Sequence, residues 1–431
     1  MRTEGLVLRH LVSDADLEAT CRLLATVFDP QVAALYETVV RHYPGLDRRW
    51  CLIAEDPNGA GAPTHRGSAP AATGSGETGP RVVASVTRLP TIWSLGGVDL
   101  PVASLNYVAT HPDYRRLGLV RALVERFDEE ARADGCLLAG VLGIEGFYDR
   151  FGYFYCSPVD KTVSLGAAET LKAVETDPWL DRGWVFTTRI AEAQDVEALA
   201  ELWEAGDREL DLFEVRSRAF WEHVVRDQGP TGWGPCYVVS AGGRVAAMFV
   251  TRPWPNVVTL AFIRTGERDA LLEMLRWAAV KAIESGYHRI NLCAPIGSPL
   301  YALATSLGGR EELPYAWQVK IYDHRALLER LAPVLERRLA ASLFRGLSTD
   351  LVLDLYGPHL ILKWRDGRLV EVVELSGRPA ARLPRPAFAR LVLGARTVDE
   401  IVREREDVGV TRVLRPLLDV LFPRLRAWME E

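Results

Sequence analysis

Between Val120 and Ala131 the apolar residues Val120, Leu123, Val124, Phe127 and Ala131 recur at the spacing of one helix face. Charged Arg126, Asp128, Glu129, Glu130 and Arg132 fill the other side, and Gly135 follows as a C-terminal stop. The preceding run Ser104–Thr110 reads as a strand ended by His111-Pro112. Leu137–Leu142 is a short continuous apolar run, which suits a strand buried on both faces. Upstream, Asp14–Phe28 reads as a helix with Leu17, Cys21, Leu24 and Val27 on its apolar face, and Ala33–His42 as a second. Trp50–Glu55 and Val82–Arg88 read as paired strands. The Gly/Ala/Pro/Ser stretch 56–80 between them cannot build a core and reads as a hairpin tip.

The same order of elements returns further along. Ala193–Ala205 and Arg218–Val225 read as helices, and Cys236–Ser240 and Val245–Thr251 as a hairpin around Ala241-Gly242-Gly243. Val257–Ile263 is a strand, Ala270–Ser285 a helix, Arg289–Leu292 a strand and Pro299–Leu307 a helix. A third pattern begins near Asp323, with a helix over His324–Ala341. Leu351–Tyr356, His359–Trp364 and Leu369–Leu375 then alternate apolar and polar residues, with turns at Gly357-Pro358 and Asp366-Gly367. Pro386–Leu393, Val398–Glu404 and Arg412–Leu421 read as closing helices. The expected class is α/β with mixed sheets, divided at 1–166, 167–322 and 323–431. A chain of 431 residues suits about three domains of ~150 residues.

Composition adds bounds. The 48% hydrophobic and 25% charged fractions are ordinary for a soluble globular protein. A net charge of −6 argues against a general nucleic-acid binder and fits a cationic substrate. Six cysteines are scattered without a CxxC pair, so neither a zinc site nor a disulfide framework is expected. The histidines are single, with no second ligand at helical spacing, and no metal is expected. The N-terminus has no signal-peptide core, and no run reaches the ~18 apolar residues of a membrane helix, so the cytoplasm is the expected compartment and no membrane partner is expected.

The candidate chemistry lies where the strand Ser104–Thr110 runs through Arg115-Arg116-Leu117-Gly118 into the amphipathic helix. A helix start offers unpaired N–H groups and partial positive charge, which suits a diphosphate. Gly118 lets the backbone come close to the anion, and Arg115, Arg116 and Arg121 add charge. An ordinary helix start with surface arginines is the rival, since short motifs misfire. The segment Phe147-Tyr148-Asp149-Arg150-Phe151-Gly152-Tyr153-Phe154 downstream tips the balance. Strand, R-x-x-G loop, helix, strand and FY-x-x-F-G-Y together resemble the GNAT superfamily of acyl-CoA N-acyltransferases.

That resemblance implies acetyl-CoA as co-substrate. Main-chain amides over Arg116, Leu117, Gly118, Leu119, Val120 and Arg121 would hold its diphosphate; Val120 departs from the small residue usual there. Val108, Ala109 and Thr110 would follow the pantetheine arm, and Gly143 and Ile144 would mark the splay that admits the thioester. Tyr148 would protonate the leaving thiolate, a task suited to a phenol, whose ordinary pKa of about 10 lies near a thiol's. The plainer reading of Tyr148 is a core tyrosine, and Tyr153 looks like wall packing. In the second repeat the sequence is Arg264-Thr265-Gly266-Glu267-Arg268-Asp269, where carboxylates satisfy the helix start and repel a diphosphate, so that repeat is expected to be structural.

The third pattern resembles a sterol-carrier-protein-like fold. GNAT, degenerate GNAT and sterol-carrier-like domain together resemble the enhanced intracellular survival (Eis-like) family. This implies a homo-oligomer, a hexamer, and small-molecule amine acceptors such as aminoglycosides and polyamines. It also implies a base in the C-terminal carboxylate, by position Glu431, although family members end in an aromatic residue. His111 beside the loop reads as a turn residue rather than a base. Competing readings are protein lysine acetylation and a CoA sensor or lipid-binding protein with a relict site.

Overall fold

Ser13 and Asp16 set the first helix by exchanging bonds: the Asp16 N–H donates to Ser13 Oγ at 3.1 Å, and the Ser13 N–H donates to Asp16 Oδ2 at 3.0 Å. Arg9 grips the same carboxylate from the neighbouring strand, at 2.7 and 3.0 Å, and holds its pKa well below the usual carboxylate range. The computed structural model describes residues 5–59, 81–158, 161–178, 185–227, 234–312, 316–357, 359–375 and 379–429. Most of the 56–80 stretch therefore lies outside the described residues, as do Pro358 and Glu431. The chain divides into two compact units.

The first unit is built on Met1–Pro90 and Ala103–Gly135. Strands Val7–His10, Cys51–Asp56, Arg81–Leu95 and Val98–Thr110 lie side by side in that order, with Val7 opposite Glu55 and Cys51 opposite Thr87; the last two run on into the second unit. Helices Asp14–Val27 and Pro30–His42 close on Leu17, Leu24, Tyr36, Cys51, Ile53 and Ala109. The second of these starts earlier than its apolar spacing suggests. Asp29 caps it, and Pro30 supplies the preset first helical residue. Helix Leu119–Ala133 follows the apolar stripe closely, burying Leu123, Val124, Phe127 and Ala131. Beyond its end, Asp134 ion-pairs with buried Arg88, whose guanidinium also lies over the Trp50 ring at 4.3 Å.

The second unit is built on Thr91–Val102, Cys136–Gln228 and Trp233–Glu431. Its central feature is an exchange of strands. After Phe154–Pro158 the chain leaves for another sheet, where Lys161–Gly166 pairs with Arg289–Ala294 and Arg310–Glu311. The strand Ala316–Ile321 makes the return journey and lies between Leu138–Val141 and Phe154–Pro158, antiparallel to both. In the other sheet Val257–Thr265 runs parallel to Arg289–Ala294, with Val258 opposite Ile290. Helix Arg268–Glu284 makes the crossover that a parallel pair requires. Cys236–Ala241 and Arg244–Trp254 form a two-residue hairpin whose Gly242 and Gly243 have φ of 57° and 81°. Only glycine takes two successive left-handed positions cheaply.

The C-terminal part carries a meander of Thr349–Asp354, His359–Arg365 and Arg368–Glu374, flanked by the short strands Ala381–Arg382 and Gly409–Val410. The single helix expected over His324–Ala341 is two, His324–Arg330 and Ala332–Ala340. Pro333 has no N–H to continue the first and sits at the start of the second. Likewise the last helix starts at Arg415, with Pro416 in its first turn, rather than at Arg412. One core runs from Trp93, Leu138 and Val319 through Leu353, Trp364 and Phe388 to Leu421. The chain's last described strand, Ala427–Trp428, pairs in parallel with Leu212–Glu214, an element no local pattern announces. Among the described residues no helix is long and apolar enough to cross a membrane.

Trp364 is fully buried at the centre of that core. Trp364→Ala should destabilise the protein by about 3–5 kcal/mol, read as a lower urea midpoint. A midpoint shift worth less than about 1 kcal/mol would mean that the site collapses around the smaller residue.

Candidate active site

In the first unit the strand Val98–Thr110 ends at a 3-10 turn, Pro112–Tyr114, and four residues later the helix Leu119–Ala133 begins. Two residues in between are left-handed: Arg116 at φ 67° and Gly118 at φ 84°. Gly118 adopts this without cost, and Arg116 does not. Gly118 is the N-cap, and no side chain caps the helix. The loop is therefore a bare helix start, open to an anion. Leu117 and Leu119 are buried and anchor it, while Arg115, Arg116 and Arg121 stand exposed around it. Val120 is half-buried. The Tyr114 hydroxyl donates to buried Asp56 at 2.7 Å and fixes the loop's entrance to the end of a neighbouring strand; burial and that carboxylate push the Tyr114 pKa up. His111 is buried against Arg81, and burial followed by the Arg81 charge pushes its pKa down. It is the N-cap of the 3-10 turn Pro112–Tyr114.

The strand leading to the loop is irregular at Tyr107, which has φ 50° in the middle of extended backbone. Its carbonyl accepts from Ser85 Oγ at 3.1 Å, and its ring meets Tyr36 edge-on at 4.9 Å. The residues after it, Val108, Ala109 and Thr110, are half-buried, buried and half-buried. Thr110 Oγ1 is buried with no partner among the described residues. The resemblance implies a splay at Gly143 and Ile144; the strand before the loop has its own irregularity, at Tyr107. The repeat in the second unit has the same feature, with Phe262 at φ 51° three residues before Thr265.

In the second unit Gly143 and Ile144 follow the strand Leu138–Val141, and Ile144 is 74% exposed. Tyr148 opens a 3-10 turn, Tyr148–Phe151, and is 5% exposed. Its ring lies on Gly143 so closely that a Cβ there would fall 2.0 Å from Tyr148 Cε2. Gly143 is thus required by close approach rather than by its φ. Phe147 and Tyr153 pack edge-on against the Tyr148 ring at 4.9 and 6.2 Å, and Tyr153 is fully buried as wall.

The matching helix start in the second repeat differs in detail from expectation. Glu267 is the N-cap of Arg268–Glu284, but its carboxylate does not cap the helix. It turns to Arg244, at 2.5 and 2.9 Å, which lowers its pKa. Here a carboxylate on extended backbone stands where the first repeat has left-handed Gly118.

Sequence reasoning missed a buried charged group in the second unit. Arg264 donates to Asp207 at 3.1 Å, and its guanidinium lies 3.5 Å from the Trp203 ring centre and 3.7 Å from that of Trp428. Arg216 pairs with Glu214 at 2.8 Å, both buried. Burial pushes Asp207 up to about 6 and Glu214 up to about 7, against the pull of the arginines. In register, Trp428 lies opposite Phe213, one residue before Glu214, and the Met429 carbonyl accepts from Trp317 Nε1 at 3.3 Å. The one local signal is Glu214 and Arg216 two apart on a short strand-like run. Glu431 lies outside the described residues. Among the described residues no cluster of three His, Cys, Asp or Glu side chains is placed to hold a metal.

Residues 9–156 match an acetyltransferase (GNAT) domain, and residues 179–294 match a second domain of the same description. The chain is a GNAT-type N-acetyltransferase with two such domains in tandem. No curated protein matches the sequence. Among solved structures, a GCN5-related N-acetyltransferase from Anabaena variabilis is similar over 98% of this chain and 99% of that one, with TM-score 0.68 and 14% identity. A protein of unknown function from Enterococcus faecalis, described as a probable N-acyltransferase, is similar over 99% of each chain, with TM-score 0.69 and 12% identity. Eis1 from Mycobacterium abscessus is similar over 97% of each chain, with TM-score 0.60 and 16% identity. At these identities the likeness is one of fold.

The raised pKa of Glu214 makes stability depend on pH in a definite direction. A carboxyl held near 7 in the fold and near 4.5 when unfolded keeps its proton in the folded state between those values, so its contribution to stability falls as pH rises from about 4.5 to 7. Wild type minus Glu214→Gln, compared by thermal midpoint at pH 5, 6, 7 and 8, should therefore decline over that window. A difference that rises with pH would show that Arg216, rather than burial, governs the carboxyl.

Proposed function

We propose that the protein transfers the acetyl group of acetyl-CoA directly to a primary amine of a small polycationic acceptor, of the polyamine or aminoglycoside kind. The bare left-handed Gly118 helix start, set against the Glu267 start of the repeat, carries this reading. The residues present fit the co-substrate. The loop 116–121 has no side-chain cap and three exposed arginines around it, and Val108–Thr110 lead into it past a break in the strand. Acetyl-CoA supplies an activated acyl thioester. Gly118 and its neighbours hold the diphosphate through main-chain N–H groups, and Tyr148 holds a proton for the departing thiolate. Both lie within the matched domain 9–156.

Direct attack is favoured over an acyl-enzyme because no cysteine or serine sits in a recognisable nucleophile motif. Burial pushes Cys156 and Cys236 up to about 12, which leaves almost no thiolate near neutral pH. The order of parts supports the Eis-like reading: two GNAT domains, then a helix, strand meander and helices of sterol-carrier-like kind. In this reading the parts divide at 1–166, 167–322 and 323–431, and the protein works as a hexamer. The overall negative charge of −6 favours a cationic small molecule as acceptor.

Calorimetry should show one acetyl-CoA site per chain. Gly118→Asp should abolish it, because the substitution adds both a strained side chain and a negative charge at the helix start. Two equivalent sites, or undiminished binding by the variant, would remove the loop from the reading.

Release of free thiol from acetyl-CoA with spermidine, kanamycin and a lysine peptide tests the acceptor class. Turnover should favour the first two; a preference for the peptide would move the assignment to protein lysine acetylation. Tyr148→Phe should lower kcat by roughly 10²–10⁴-fold with little change in acetyl-CoA affinity. Unchanged turnover would take Tyr148 out of the mechanism.

A further inference from the structure

The segment that carries Tyr148 is held at both ends by one distant strand. Gln318 Nε2 donates to the Gly143 carbonyl at 2.8 Å. Lys320 Nζ donates to the Phe151 carbonyl at 2.7 Å. The two donors are two residues apart on Ala316–Ile321 and so project from the same face of the strand. The two acceptors bracket Tyr148, at the end of the preceding strand run and at the last residue of the 3-10 turn. In sequence they lie 175 and 169 residues from their donors.

Each bond has a feature that sets it apart from ordinary sheet closure. Gln318 is fully buried, and its Oε1 has no partner among the described residues, so the amide is retained for the single bond to Gly143. An apolar side chain of the same size would fill that space without leaving an unmatched oxygen. Gly143 is also the residue on which the Tyr148 ring rests, so a shift of its carbonyl moves the floor beneath the ring. Lys320 passes beside Gly152, whose missing side chain leaves room for it, with a Cβ there 3.6 Å from Lys320 Cε. Its ammonium also lies 5.5 Å from the centre of the Tyr153 ring, which itself packs against Tyr148.

We propose that Gln318 and Lys320 are positioning residues for the acetyl transfer, a two-point clamp that fixes where Tyr148 presents its hydroxyl. The proposal rests on the role given above to Tyr148. It also gives the second, non-binding GNAT domain a task within the same chain, because the clamp strand is the one that returns from that domain's sheet.

The test is a double-mutant cycle on the full chain, with Gln318→Met and Lys320→Met made alone and on a Tyr148→Phe background. The readout is thiol release from acetyl-CoA with whichever of spermidine, kanamycin or the lysine peptide turns over fastest. Each single variant should lose about 10- to 100-fold in kcat, the scale of a misplaced reacting group, while acetyl-CoA affinity by calorimetry stays unchanged. On the Tyr148→Phe background the same changes should cost little more, because the residue they act through is already disabled. Lys320→Arg, which keeps a donor, should recover most of what Lys320→Met loses. Lys320 is half-buried, so its variant serves as the test if Gln318→Met does not fold. A fully active Tyr148→Phe enzyme would overturn the acid assignment and this inference together. A crippled Tyr148→Phe with fully active clamp variants, or clamp losses undiminished on that background, would overturn this inference alone.

Discussion

The second unit depends on one pairing: Ala316–Ile321 laid between Leu138–Val141 and Phe154–Pro158. Without it those two segments would face each other across an empty lane, with their ladder N–H and C=O groups unpaired, which a buried sheet does not tolerate. In return Lys161–Gly166 is given up to the other sheet, where it pairs with Arg289–Ala294. The exchange ties two similar halves together through backbone hydrogen bonds, which are stricter in register than side-chain packing. From the same strand come Val319 for the shared core, Trp317 for the Met429 carbonyl, and the two donors that bracket Tyr148.

The two repeats differ in the charge around their helix starts. Each keeps a left-handed residue inside the strand that precedes its crossover helix, Tyr107 in one and Phe262 in the other. A non-glycine residue rarely holds that conformation, and both copies place one three residues before the strand's end. Beyond that residue the copies part. One leads through exposed arginines to an uncapped glycine. The other leads through Arg264, sandwiched between two indoles and bonded to Asp207, to a glutamate paired with Arg244. Positive charge that stands exposed in the first copy is engaged internally in the second.

The buried charges near the last strand belong to the same logic. Glu214 and Asp207 lie where burial works against ionisation and the arginines work for it, so neither carboxyl titrates far from neutral pH. Such groups are costly in a core and are kept where they hold something in place. Here Asp207 bonds the Arg264 that stacks on Trp428, and Glu214 ends the strand with which Ala427–Trp428 pairs.

What the sequence determined by itself is local. The stripe from Val120 to Ala131, the glycine turn at Gly118 and the Gly242-Gly243 hairpin come from side-chain period and from which residues accept positive φ, properties of a few neighbours at a time. The aromatic packing around Tyr148 was likewise legible, since Phe147 to Phe154 is one compact aromatic run. Tertiary structure alone decided which strand lies beside which. Ala-Trp-Gln-Val-Lys-Ile at 316–321 has no pattern to say that it pairs with residues about 175 positions earlier, because register across that separation is set by the closing of a whole sheet. The burial of Glu214 with Arg216 and of Arg264 with Asp207 has no local signature strong enough to predict it, and Tyr107 reads as an ordinary strand residue although its φ is 50°. Burial and backbone strain arise from what packs around a residue, and that information lies in the fold rather than in any short window of the chain.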